Sequence, residues 1–301
     1  MNVTSLLISA AKKLKSSNPL RIAGATAFFT TFALPPLFII FLQLFGLVMN
    51  KEDIREEMIH ALSGTIGTEG SMQVKVIMQG MTGLAINPLA GILGFTFLLF
   101  VATTLFKVIK DSIDDLWEIK VSAQSGVKMK LFSRFKSLLV IAIAGLLFIA
   151  SIFWDGAQTI IGHFIKDYSG YEMATYLILS LNKAFSLLIA SVWFTLLFRN
   201  LPDAITHWRV AATGGLVTGL LFSIGKVVLR MALPYKDITS VFGAAGSFVL
   251  VLLFVFYCSF ILYYGACFVK VYADYRHKTI KPRANAFAFE ILEKSEEKAI
   301  G

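Results

Sequence analysis

Six long apolar runs dominate the chain and leave few folds open to it. They extend roughly from Ile22 to Met49, Leu89 to Phe106, Leu138 to Trp154, Tyr176 to Phe198, Val210 to Leu233 and Val241 to Val269. A helix needs about 17–25 residues to cross a bilayer, and each run is that long or longer. In hydrocarbon each backbone N–H must find its partner within the protein, so each run reads as a helix. Charged residues make up only 16% of the 301, against about 25% in a soluble domain. The expected fold is therefore all-α: a polytopic membrane protein with six transmembrane helices and short interfacial amphipathic helices. Residues 1–275 form one membrane domain, and 276–301 a short cytoplasmic tail.

The net charge of +9 is distributed unevenly. Twenty Lys and Arg fall at the N-terminus, in the 107–136 loop, at Arg199 and Arg209, and after Val269. Six fall on the other side, at Lys51, Arg55, Lys75, Lys166, Arg230 and Lys236. The bias alternates loop by loop. It places both termini in the cytoplasm. This asymmetry accounts for the basic balance, so no nucleic-acid partner is expected. Cys258 and Cys267 are nine residues apart in one run, on opposite faces of a helix, and cannot bridge each other.

Local signals fill in the rest. Val3, Leu6, Leu7, Ala10, Ala11 and Leu14 recur at helical spacing beside Lys12, Lys13 and Lys15, which predicts an interfacial helix over 3–16. Phe106, Ile109, Ile113, Leu116 and Trp117 predict a similar one past the second run. Ile54, Met58 and Leu62 predict a short amphipathic helix in the 50–87 outer loop. Asn87 and Pro88 read as the start of the second span, and Pro202 as a stop to the fourth.

Three stretches carry a family resemblance. They are RIAGATAFFTTFALPPLFIIF, LLFRNLPDAITHWRVAATGGLVTGLLFSIGKVVL, and VFGAAGSFVLVLLFVFYCSFILYYGACF, with IDDLWEIK after the second span. In order and spacing the chain resembles the YihY/BrkB family of bacterial inner-membrane proteins, from about Arg21 to Val269. The resemblance implies six spans, cytoplasmic termini, links to virulence and serum resistance, and movement of lipids or other anionic compounds. An old ribonuclease label on the family is regarded as mistaken. Cys267 stands where the family has glutamate, so no role for that carboxylate carries over.

Candidate functional residues are the polar groups inside the runs. Gly215, Gly219, Ser223, Lys226 and Arg230 share one stripe of the fifth span, and small residues let helices pack closely. Counted from Arg209, Lys226 lies roughly 25 Å along the helix and Arg230 roughly 31 Å. Arg230 reads as an interfacial anchor. Lys226, one turn deeper, either snorkels or contacts an anion. Lys183, with Asn182 beside it, and Asp155 at the end of the third span fall in the same outer half. Pro35 and Pro36 are expected to break the first helix there. Gly243 and Gly246 open the sixth span as packing positions. There is no phosphate loop, HExxH or GxSxG, and the four histidines lack metal-ligand spacing. No metal, cofactor or enzymatic activity is expected. The expected function is passage or flipping of an anionic lipid or solute, with membrane lipids as partners. The alternative is a non-transporting scaffold for envelope proteins, and a second copy of the chain is a further expected partner.

Overall fold

The computed structural model describes residues 2–45, 55–56, 59, 71–72, 75, 88–121, 143, 146–147, 171–232, 246–283 and 286–289. Six helices are described: α1 (Val3–Ser16), α2 (Pro19–Phe45), α3 (Pro88–Leu116), α4 (Tyr171–Asn200), α5 (Trp208–Ala232) and α6 (Gly246–Tyr275). Among the described residues three segments are long and apolar enough to cross a membrane. They are Ser180–Asn200 in α4, Trp208–Val228 in α5 and Val251–Tyr275 in α6. Asp155, Gly243, the helix expected at Ile54, Met58 and Leu62, and almost all of the third apolar run lie outside the described residues.

The N-terminal helix has the expected bounds, but its apolar stripe has a different partner. Leu6, Ala10 and Leu14 are buried in the main core, and the Tyr264 hydroxyl on α6 donates to the Leu7 carbonyl (3.0 Å). The stripe thus packs on the bundle. Asn18, in the left-handed region (φ 52°), turns the chain into α2, whose first residue is Pro19. The stripe expected to lie on the membrane past the second span is also core. Phe106, Ile109, Ile113, Leu116 and Trp117 are all buried, because α3 continues without interruption to Leu116. The Trp117 indole N–H donates to the Ala266 carbonyl of α6 (2.9 Å), which fixes that end of α3.

Pro35 and Pro36 do not break the first span, since α2 runs through both to Phe45. Proline's fixed φ is itself helical, and its lost donor is tolerated in apolar helices. Thr30 and Thr31 do not turn toward the freed carbonyls. Their hydroxyls donate back to the Thr26 (2.7 Å) and Ala27 (2.8 Å) carbonyls.

Helix α5 packs closely on both of its neighbours. A Cβ at Gly219 would lie 2.6 Å from Ser191 Oγ and 3.0 Å from the Ser191 backbone N of α4. One at Gly215 would lie 2.7 Å from the Ser191 carbonyl oxygen. On its other side Gly214 meets Val269, and Gly225 meets Tyr257, both on α6. The remaining face carries Leu216, Leu220, Ile224, Val227 and Val228, all exposed. Such a continuous apolar face suits lipid and not water.

The all-α expectation needs one addition. Among the described residues four short strands lie beyond the helix ends. β1 (Ile119–Val121) pairs antiparallel with β4 (Ala286–Ala288), and β2 (Ala204–Ile205) pairs antiparallel with β3 (Lys281–Pro282). They fasten residues 281–282 and 286–288 to the segments that follow α3 and α4.

The packing gives a direct test. Gly219→Leu should cost roughly 1–3 kcal/mol or more, because α4 backbone stands in the way. Gly24→Ala, with nothing within 4 Å of the new Cβ, should be neutral or stabilising by up to about 1 kcal/mol. Thermal unfolding of both variants in detergent checks this.

Candidate functional site

An apolar cavity of about 490 Å³ lies between the helices. Thr26 and Thr30 of α2 line it, with Leu105 and Ile109 of α3, Trp193 and Phe194 of α4, Phe222 of α5, and Cys258 and Ser259 of α6. Its volume falls within the roughly 300–1,000 Å³ of ligand sites. Along α4 the lining runs from Leu197 to Ser186, about 16 Å of helix. The cavity is therefore elongated along the bundle axis. Thr26 bonds the buried Tyr263 hydroxyl (2.5 Å), so the wall there is polar but satisfied.

Lys226 stands beside the end of the cavity away from the α4–α5 connection. Its ammonium is 3.5 Å from Ser186 Oγ and 5.1 Å from the centroid of the Phe222 ring. Both of those residues line the cavity. Phe222 is one turn nearer the Trp208 end of α5, so the lysine folds back into the bundle. A snorkelling side chain would extend the other way, toward Arg230. The stripe read from the sequence is thereby brought together, with Gly215, Gly219 and Lys226 all facing α4. Lys183 and Asn182 are exposed on α4. The backbones of Arg230 and Gly246 lie within α5 and α6, and their side-chain surroundings are outside the described residues. Among the described residues no group of three His, Cys, Asp or Glu could hold a metal.

The other end of the cavity meets a charged cluster that the sequence analysis did not single out. Lys110 follows the cavity-lining Ile109, in the charged part of α3 beyond the apolar run. Its side chain is only 8% exposed, yet its ammonium is 2.7 Å from Asp203 Oδ2, 3.3 Å from Asp114 Oδ2 and 3.4 Å from Asp111 Oδ1. Asp114 Oδ1 accepts the backbone N–H of Asp203 (2.9 Å). The cluster therefore joins α3 to the α4–α5 connection. Burial alone would lower the lysine's pKa, but the three carboxylates outweigh it and the net direction is up. Burial pushes the Asp114 carboxyl up to about 7; Lys110 opposes the shift and Asp203 adds to it. The signals were in the sequence. Asp114 belongs to IDDLWEIK and Asp203 to LLFRNLPDAITHWR, two of the stretches that carry the resemblance, and Lys110 precedes Asp114 by one helical turn.

Comparison with known proteins bears on this geometry. The family model described as virulence factor BrkB matches residues 10–288, which takes in both ends of the cavity. The chain belongs to the BrkB virulence-factor family. Two curated relatives are UPF0761 membrane proteins. One, from Teredinibacter turnerae, is 24% identical over 258 residues, covering 85% of this chain and 58% of the relative. The other, from Saccharophagus degradans, is 22% identical over 259 residues, covering 85% and 57%. This BrkB-family chain thus spans a little over half the length of those relatives. No solved structure matches it.

Two outcomes follow for the BrkB-family cluster. Lys110→Met leaves buried carboxylates without their cation and should cost roughly 3–5 kcal/mol, whereas Asp111→Asn, at the exposed edge, should change stability by less than about 1 kcal/mol. The raised pKa of Asp114 also fixes a sign. Between the carboxyl's ordinary 3.8 and about 7 the folded chain holds a proton that the unfolded chain releases. Stability from this group is complete below that window and is lost as pH rises through it. Thermal midpoints in detergent should fall from about pH 5 to about pH 7.5 in the wild type, and Asp114→Asn should remove that slope.

Proposed function

We propose that this BrkB-family membrane protein carries an anionic amphiphile, a lipid or a lipid-like solute, through or along its apolar cavity. The observation that supports the reading is the cation at one end of an otherwise apolar, bundle-aligned cavity. An apolar tail is favoured within the lining, and the Lys226 ammonium beside it attracts an anionic head. Lys183, exposed one turn from Ser186, would receive the head from solvent, and Arg230 would anchor the same rim. Asp155 would tune those cations.

In this reading six helices span an inner membrane with both termini in the cytoplasm, as the basic-residue bias supports. The cavity's Lys226 end then lies toward the outer leaflet and the Lys110 cluster at the cytoplasmic surface. The role is non-enzymatic and needs no cofactor. The scaffold alternative rested on small-residue faces left for partners. Gly215 and Gly219 are instead occupied by α4, which weakens that motive.

Lys226→Met should leave the chain folded and inserted while reducing binding of an anionic phospholipid by about tenfold or more, the range expected for losing a hydrogen bond to a charged group. Lys226→Arg should retain part of it, and Arg230→Lys should be nearly silent. Native mass spectrometry of purified protein titrated with phosphatidylglycerol reads binding, and reconstituted vesicles with a headgroup-labelled lipid read passage. Full binding and passage by Lys226→Met would remove the central residue of this reading.

A further inference from the structure

We infer that Asp114 is a proton-binding site, and that the Lys110–Asp114–Asp203 cluster is a latch closing the cytoplasmic end of the cavity, released when Asp114 loses its proton. The inference rests on the cavity as the path proposed above, and concerns its opposite end.

Placement comes first. Ile109 and Leu197 are lining residues at that end of the cavity. Asp114 is five residues beyond Ile109 on α3, about 7.5 Å further along the helix. Asp203 follows Leu197 by six residues, in the bend after α4. The ammonium of Lys110 and the carboxylate of Asp114 therefore join the two walls just beneath the cavity. To open this end, α3 must part from the α4–α5 connection, and the contacts that must break are Lys110 to Asp203 and Asp114 to the Asp203 N–H.

Charge balance comes second. The groups that act on Asp114 are Lys110 from its own helix and Asp203 from the connection. Arg283 reaches the same connection from the tail, through its backbone N–H to the Asp203 carbonyl (3.0 Å). Asp111 touches only the exposed side of Lys110. With Asp114 ionised, two buried or half-buried carboxylates share one ammonium. Asp114 Oδ2 is buried, and it lies in the ion pair without a hydrogen bond. A proton on Asp114 makes the buried part of the cluster neutral: one ammonium, one carboxylate, one carboxylic acid.

The direction follows by linkage. In the closed cluster the Asp114 carboxyl sits at about 7. Parted and solvated, it would return toward the ordinary carboxylate range. The closed form thus holds the proton more tightly, and raising pH through neutrality shifts the balance toward the parted form. No covalent chemistry is involved; the proton passes between the carboxyl and cytoplasmic water.

The chain supplies its own reporter. Its two cysteines are Cys258 and Cys267. Cys258 lines the cavity and Cys267 is fully buried, so Cys267→Ala leaves a single cavity thiol. In inverted membrane vesicles, a small membrane-impermeant maleimide reaches Cys258 from the cytoplasmic side. Dividing its rate by that of a permeant maleimide removes the thiol's own ionisation. The normalised rate should rise about threefold or more between about pH 6 and about pH 8. Asp114→Asn, permanently neutral, should hold it at the low value. Asp114→Glu, which still titrates, should restore a rise, and the exposed Asp115→Asn should behave as wild type. A normalised rate that is flat with pH in the wild type overturns the latch. So does an equal rise in wild type and Asp114→Asn, and so does a rise in wild type that Asp114→Glu abolishes. Full lipid binding and passage by Lys226→Met while this pH profile holds would overturn the transport reading and leave the latch standing.

Discussion

The close approach of α5 to its two neighbours sets the geometry of the rest. Helices in a bilayer gain little from the hydrophobic effect by associating, because lipid tails are as apolar as leucine. Backbone proximity and dispersion must do the work, and both need residues without bulk. Gly215 and Gly219 admit Ser191 of α4, and Gly214 and Gly225 admit Val269 and Tyr257 of α6. With α5 drawn in on both sides, Phe222 becomes a wedge. Its ring meets Phe194 of α4 edge-on at 5.9 Å and Phe254 of α6 at 6.4 Å. The ring thus stands between α4 and α6, and it lines the cavity.

The end of the bundle that carries the strands is held by different physics. Water is present there, so burial of apolar area stabilises in the ordinary way. The largest fully buried side chains include Trp117, Ile113, Ile119, Leu201 and Phe198, which belong to α3 and α4 and the segments that leave them. The paired strands carry the tail back over the same region. Glu118 adds polar fixation, pairing with Lys13 of α1 at 2.7 Å and lying 3.9 Å from Lys270 of α6. A membrane bundle packed by small residues is thus gathered at one end by a water-driven cap. Any motion that opens the cavity at that end has to work against that cap, which is why a single titratable contact within it matters.

Much of this was legible in the sequence, and the failures have a common cause. The bounds of α1, the start of α3 at Pro88, the end of α4 before Pro202 and the face of Gly215 and Gly219 follow from local spacing. Spacing fixes which residues share a face, not what covers it. The stripes of α1 and of 106–117 were read as lying on lipid, and they pack on the bundle. Pro35 and Pro36 were read as a break because the missing donor is local, whereas continuity of α2 is decided by its tertiary surroundings. Lys110 was counted as one more cytoplasmic charge. Charge counting gives the side of the membrane and ignores partners, and its closest one, Asp203, is 93 positions away. The cavity was legible only at its Lys226 end, since an apolar lining looks the same in sequence as an apolar core.

Helix direction explains why two lysines at similar depth differ. Side chains on a helix lean toward its N-terminus. Helices α4 and α5 are joined by a short connection from Asn200 to Trp208 and run antiparallel. Lys226 on α5 leans toward Trp208, down the bundle, where Phe222 and Ser186 receive its ammonium. Lys183 on α4 leans the opposite way, toward Tyr171 and out of the bundle, and it is exposed. Had the same lysine stood on a helix of the other polarity, leaning outward would have brought it to the interface at little cost. Its place on α5 makes snorkelling the strained choice and turns the charge onto the cavity. The Lys226 site therefore depends as much on the direction of the chain as on the depth of the residue.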